Sequence, residues 1–313
     1  MAGLKELKKR LSTVQQTEVM TSAMKMVSAS KLRKAQGSLY KAKAFAQSIS
    51  DVYRKAGGVV APASANGSGA GNGARSADAA NSTKAKKALI IVLTSNKGLC
   101  GSFNAAVCKE TEALIREKYT GAGKSFELLC IGVKGYEYFK IRNYPLCKEA
   151  DSRAELKTYG EVAKVSQIIS KWYDSGKYDK VEVVYSHPLN AMSVERRNVS
   201  LLPLEEVDFS AGRKGTDKNT LLGTELPNID NVLFFPSRQE VAKTIVPLLA
   251  AALLYFFITE SAVAEHGARM TAMSQATDNA QTLGRELNLT YNKLRQQAIT
   301  GELLEIIAGA NAL

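Results

Sequence analysis

Apolar positions along the chain fall into three zones with different periods. Between residues 4 and 56 there is no proline and only one glycine, Gly37, and Leu4, Leu7, Leu11 and Val14 recur at spacings of three and four, the mark of one helical face. Met20, Met24 and Val27 carry that face forward on a displaced register, which in a two-helix coil acts as a stutter. From Ser237 to Leu313 the chain is predicted helical again. Met273, Ala276, Ala280, Leu283, Leu287, Tyr291, Leu294 and Ala298 step by three and four as a coiled-coil seam does, and Pro247 predicts a kink near the helix start.

The middle zone reads differently. Residues 57–83 are dominated by Gly, Ala, Ser and Asn, which bury too little apolar surface to offset the cost of ordering the backbone, so this stretch is expected to be a flexible insert. Residues 88–93 form a continuous apolar run, as a strand covered on both faces does. Gly98 and Gly101 then turn the chain into a helix starting near Phe103. Strands at 126–133 and 181–185, with helices at 135–142 and 159–173, predict a mostly parallel sheet with an antiparallel edge at 192–202 and an exposed loop at 211–222.

Four segments follow: a helix at 1–56, the insert at 57–86, an α/β domain at 87–236 and a second long helix at 237–313. Each terminal helix has one apolar face, and burying one against the other gives an antiparallel pair interrupted by the α/β domain. At 1.5 Å rise per residue, a helix of some 70 residues is on the order of 100 Å long. Such a rod transmits force or spans an assembly.

The composition, with 45% apolar and 23% charged residues in 313, fits a core-forming chain of one large or two ordinary domains. A net charge of +12 points to an acidic counterpart: protein, nucleic acid or anionic lipid. Lys5, Lys8, Lys9, Arg10, Lys25, Lys31, Arg33, Lys34, Lys41 and Lys43 stand against only Glu6 and Glu18 at the N-terminal end. No aromatic residue interleaves them before Tyr40, so an acidic protein explains them as well as nucleic acid does. The apolar run 245–258 falls short of the roughly 20 residues that span a bilayer, and is read as a buried helix. Met1 is followed directly by a charged helical pattern, without the apolar centre of a secretory signal.

Little in the sequence carries chemistry. Cys100, Cys108, Cys130 and Cys147 include no Cys-x-x-Cys pair and read as buried, reduced thiols. The turn TSNKGLCGS at 94–102 sits where a phosphate cradle would, but has neither the Lys-Ser/Thr of a P-loop nor three spaced glycines. His187 and His266 belong to no triad or metal pattern, and no carboxylates are paired for acid/base work. Residues 306–313 carry no charge and only Asn311 is polar, so this helix tip calls for an apolar collar supplied by another chain.

Three blocks resemble a known family. TSAMKMVSASKLRKAQ at 21–36 looks like the N-terminal signature of F-type ATP synthase gamma subunits. EHGARMTAM at 265–273, ATDNA at 276–280 and LTYNKLRQQAIT at 289–300 resemble that family's C-terminal helix, and SNKGLCG at 95–101 its glycine turn. The resemblance implies a long antiparallel two-helix coiled coil with an inserted Rossmann-like α/β domain. It also implies a central-stalk rotor without catalytic residues, cofactor or metal, coupling proton flow to ATP synthesis.

The implied partners are three alpha and three beta subunits of the catalytic head, the epsilon subunit and the membrane ring of c subunits, with no nucleic acid and no transmembrane segment of its own. The implied place is the cytoplasmic side of a bacterial plasma membrane, with the matrix side of the mitochondrial inner membrane as the alternative. By matching position, Met24, Lys25, Arg269, Arg295, Gln296, Thr300 and Glu305 would engage the catalytic head or support coupling. For Met24 the competing role is seam packing, and for Arg295 and Glu305 an exposed helical pair. The alternative function is a basic coiled-coil scaffold or nucleic-acid-binding protein.

Overall fold

The computed structural model describes residues 2–56, 87–119, 125–147, 156, 158–190, 193–204, 234–235 and 237–311. The glycine-rich insert and the 211–222 loop lie outside them. In chain order the elements are α1 (Ala2–Lys55), β1 (Lys87–Leu93), α2 (Phe103–Lys118), β2 (Ser125–Ile131), α3 (Val133–Ile141), α4 (Tyr159–Asp174), β3 (Lys180–Pro188), β4 (Val194–Leu202) and α5 (Arg238–Asn311). Two compact units result. One combines residues 1–31 with 269–313; the other comprises residues 32–268.

The larger unit is built on a four-stranded sheet of order β2-β1-β3-β4. β1 pairs in parallel with β2 and β3, and β4 closes the edge antiparallel to β3, as the alternation of predicted strands and helices requires. The central strands are covered on both faces, which is why β1 reads as an unbroken apolar run. On one side Leu89, Ile91, Leu129, Val181, Val183 and Tyr185 meet Val162 and Ile169 of α4, Ala46 and Tyr53 of α1, and Leu253, Leu254 and Phe257 of α5. On the other, Ile90, Val92, Leu128, Cys130 and Val184 meet Val107, Cys108, Leu114 and Ile115 of α2 and Phe139 of α3.

By length and composition α5 contains a stretch apolar enough to cross a membrane. Here that stretch is core: residues 249–254, 256 and 257 are buried, and Tyr255 packs edge-on against Tyr159, which meets Phe45 in the same way. The helix runs on through Pro247. The turn from β2 into α3 depends on two glycines. Gly132 has φ +116°, and a Cβ there would lie 2.2 Å from the Thr94 carbonyl oxygen; one at Gly135 would lie 2.6 Å from Thr94 Oγ1.

In the smaller unit the two helices pair antiparallel. Glu18, Thr21 and Lys25 of α1 contact Gln281, Thr277 and Ser274 of α5, so one number rises as the other falls. The seam differs from the apolar path read from the sequence. Leu4, Leu7, Leu11 and Val14 are half-buried as expected, but the same spacing then continues through Glu18, Thr21, Lys25 and Ser28 without a stutter. Met20 and Val27 are left 62% and 55% exposed. On α5 the seam takes Gly284 in place of Leu283, which is 46% exposed. Period outweighs polarity here: the helix keeps its phase, and residues facing the partner are whichever fall on that phase.

Candidate coupling surface

The helix pair offers a banded surface. Its centre is small and polar. Thr277 Oγ1 lies 2.8 Å from both Thr21 Oγ1 and the Met273 carbonyl oxygen, and Thr21 donates to the Glu18 carbonyl at 3.0 Å. Ser28, Met273 and Ala280 complete the buried strip. Beside it, the Lys25 ammonium donates to Ser274 Oγ at 2.9 Å, and the Gln281 amide donates to Glu18 Oε1 at 2.9 Å.

The sequence-derived candidates divide between two levels. Met24, 37% exposed, and Lys25 stand at the Ser274 level of α5, and Arg269 is half-buried on the same helix. Arg295 and Gln296 are exposed about 30 Å further along α5 from Ser274, counting 1.5 Å per residue. Thr300, also exposed, donates to the Gln296 carbonyl at 2.9 Å. Glu305 lies on α5, but its side chain is outside the described residues. The structure therefore brings Met24 and Lys25 together, and separately Arg295, Gln296 and Thr300.

The sequence reading missed the apolar residues that face outward around the first group. Val19 and Met26 are each 70% exposed, beside Met20 and Val27. Tracing the unbroken heptad through Glu18, Thr21, Lys25 and Ser28 would have found them. Near the far end of α5, Leu303, Leu304, Ile306 and Ile307 are all more than half exposed. The steady pairing puts Ala2 of α1 opposite about position 297 of α5, so those last turns extend past α1.

In the larger unit the chemistry is internal. The 95–101 turn is filled by its own side chains: Asn104 Oδ1 accepts from the Ser95 N–H at 3.0 Å, Ser95 Oγ donates to the Lys97 carbonyl at 2.7 Å, and the Asn104 amide reaches Cys100 Sγ at 3.3 Å. Asn96 Oδ1 takes the Val133 N–H. These bonds join the turn to the first turn of α2 and to the start of α3.

All four cysteines are free and buried. Burial, with Glu112 adding to it and Arg142 opposing it, pushes the Cys108 thiol up to about 12; burial and the neighbouring Cys108 do the same for Cys130. Burial also acts to raise the Glu182 carboxyl, but Lys180 at 2.6 Å, Lys118 at 3.5 Å and the Tyr119 hydroxyl outweigh it and hold the group below its ordinary value. No cluster of three or more His, Cys, Asp or Glu suited to a metal occurs among the described residues.

The sequence profile of the family described as ATP synthase matches residues 3–313. The chain is 36% identical over its full length to the ATP synthase gamma chain of Flavobacterium psychrophilum, covering 99% of that protein, and equally so to that of Cytophaga hutchinsonii. It belongs to the ATP synthase gamma-chain family.

Solved structures agree on the fold. A chain of the Euglena gracilis mitochondrial ATP synthase, in an OSCP/F1/c-ring structure, superposes with a TM-score of 0.59 at 18% identity, over 99% of this gamma chain and 94% of that one. A central stalk/c-ring structure of the Tetrahymena thermophila mitochondrial ATP synthase gives 0.52 at 21% identity, over 82% and 99%. The nucleic-acid alternative finds no support in these relatives.

Proposed function

We propose that this gamma chain is the rotating central shaft of an F-type ATP synthase, coupling proton flow through a membrane ring of c subunits to ATP synthesis in a head of three alpha and three beta subunits. The observation that carries the reading is family membership along the whole chain. The chain does no chemistry itself. The epsilon subunit is its other partner, and it works as a peripheral component on the cytoplasmic side of a bacterial plasma membrane, in keeping with its bacterial relatives.

On this reading the bands on the helix pair are contact levels. Met24 and Lys25, with the exposed Val19, Met20, Met26 and Val27, would face the catalytic subunits at one level. Arg269, Arg295, Gln296, Thr300 and Glu305 would engage the head or support coupling, while Leu303, Leu304, Ile306 and Ile307 would turn inside an apolar collar. A shaft changes the affinity of a catalytic site only by contacting its open and closed forms differently. Moving such an equilibrium from 1:99 to 99:1 takes roughly 5.5 kcal/mol of differential contact.

Two experiments test this. Affinity purification of the tagged chain from its native membrane in mild detergent should recover an ATP-hydrolysing complex with threefold-repeated subunits; an intact, folded chain that brings down no ATPase would end the proposal. Arg295→Ala combined with Gln296→Ala should lower proton-driven ATP synthesis while the isolated chain keeps its helix content by circular dichroism. Unchanged synthesis would remove those two residues from the coupling surface.

A further inference from the structure

The 95–101 turn contains a strain that the shaft reading leaves without a task. Leu99 has φ 61°, in the left-handed region that glycine enters freely, asparagine with little difficulty and a bulky side chain rarely. A branched residue there stays only if its surroundings hold it.

The surroundings do so from both sides. Ser95 Oγ donates to the Lys97 carbonyl at 2.7 Å and the Asn104 amide reaches Cys100 Sγ at 3.3 Å, so the residues two before and one after Leu99 are tied down. Cys100 is buried with Phe103 of α2 against Ala264 of α5. From α3, the Lys134 N–H donates to the Ser95 carbonyl at 3.2 Å and the Gly135 N–H to Thr94 Oγ1 at 3.0 Å. The base of the turn is thus joined to three helices of its own unit.

The side chain held in this way is turned to water. Leu99 is 61% exposed, while Cys100 beside it is buried. Apart from Lys97, the other exposed residues between 96 and 105 are Gly101, Ser102 and Ala105, all small, so the leucine stands above its neighbours. A single exposed apolar residue is ordinary and by itself carries nothing. Strain makes the difference: a disfavoured conformation that the surrounding bonds over-determine marks a place where that conformation is used.

We propose that Leu99 is a docking knob, held in the left-handed conformation so that its side chain enters an apolar recess on a neighbouring protein subunit. Presented on a turn fixed by its own hydrogen bonds, it has little freedom left to lose on binding. Any complex that contains this chain could supply the recess; that the neighbour belongs to a catalytic head rests on the shaft reading.

Leu99→Asn separates the strain from the contact. Asparagine tolerates the left-handed region and no packing is lost at an exposed position, so the full-length chain should melt about 2–4 °C higher. In the assembled complex the same variant should lower proton-driven ATP synthesis about fivefold, the effect of one interface side chain of ordinary weight. Leu99→Met keeps both the strain and an apolar side chain, and should lose less synthesis without the gain in melting temperature. A melting temperature that does not rise in Leu99→Asn overturns the strain, and unchanged synthesis overturns the knob. A photoreactive benzophenone amino acid in place of Leu99, irradiated in the complex purified from its native membrane, should label one kind of subunit at apolar side chains, read by mass spectrometry of the joined peptides. Labelling scattered over several kinds of subunit, or none, overturns the recess. Labelling of one apolar recess in a complex without ATPase activity would support the knob and count against the shaft reading.

Discussion

Leu254 and Thr277 lie on the same helix and both are buried, yet different contacts hold them. Leu254 is fully enclosed against the sheet among Phe257, Val183 and Tyr185, in a core of branched and aromatic side chains. Thr277 sits in a strip one residue wide, where its hydroxyl meets that of Thr21 at 2.8 Å and the residues to its sides, Gln275, Asp278 and Asn279, are open to water. The α/β unit holds itself together by enclosed apolar area. The helix pair keeps phase with a narrow seam and leaves apolar and charged side chains outward, available to other chains. A domain that must stay rigid and a surface that must touch many partners call for these opposite allocations of the same residue types.

The largest test of that contrast is a pair of leucine truncations on α5. Leu254→Ala removes a fully buried side chain and should cost about 3 kcal/mol, read as a lower urea midpoint. Leu289→Ala, at a position 72% exposed, should stay within about 0.5 kcal/mol in the isolated chain. Equal losses would mean that the helix pair is packed as densely as the sheet.

A smaller effect separates the units by pH. Every cysteine is in the α/β unit, and the buried thiols of Cys108 and Cys130 are raised from 9.0 to about 12. A group raised in the folded state contributes its full stability below its unfolded value and loses it as pH climbs through the folded one. Stability of the α/β unit should therefore hold up to about pH 9 and fall from there toward 12, and Cys108→Ala should flatten the fall. Denaturant titrations at stepped pH, followed by the Trp172 fluorescence of this unit, would show it. A profile unaltered by the substitution would place the alkaline sensitivity elsewhere.

What could be read from the sequence follows the same division. The parallel sheet, its antiparallel edge and the helices between were legible because burial on both faces leaves continuous apolar runs, and amphipathic helices leave a period. The long helices were legible too, but not which face they share. Following Met20, Met24 and Val27 led onto the outer side, since the apolar residues there are surface and the seam uses Thr21, Lys25 and Ser28. The strain at Leu99 was invisible, because nothing in a sequence marks a leucine for the left-handed region that glycine or asparagine would have signalled. Arg269, Arg295 and Gln296 came from family resemblance, and the exposure of Arg295 and Gln296 on a helix surface has no signature that periodicity detects.

The smallest predicted effect has the opposite sign and bears on how tight the seam is. Gly284 occupies a seam position, and a Cβ built there meets Val14 Cγ1 at 3.8 Å, ordinary van der Waals contact, with a backbone that any residue adopts. Alanine at a helix interior is favoured over glycine by roughly 0.8–1.0 kcal/mol because the unfolded chain has less freedom to lose. Gly284→Ala should therefore raise the stability of the helix pair by up to about 1 kcal/mol, seen as slower amide exchange at residues 14 and 284 and a higher thermal midpoint of the helical signal. Destabilisation instead would mean that the two helices approach more closely in solution than 3.8 Å allows, and that the glycine is there to permit it.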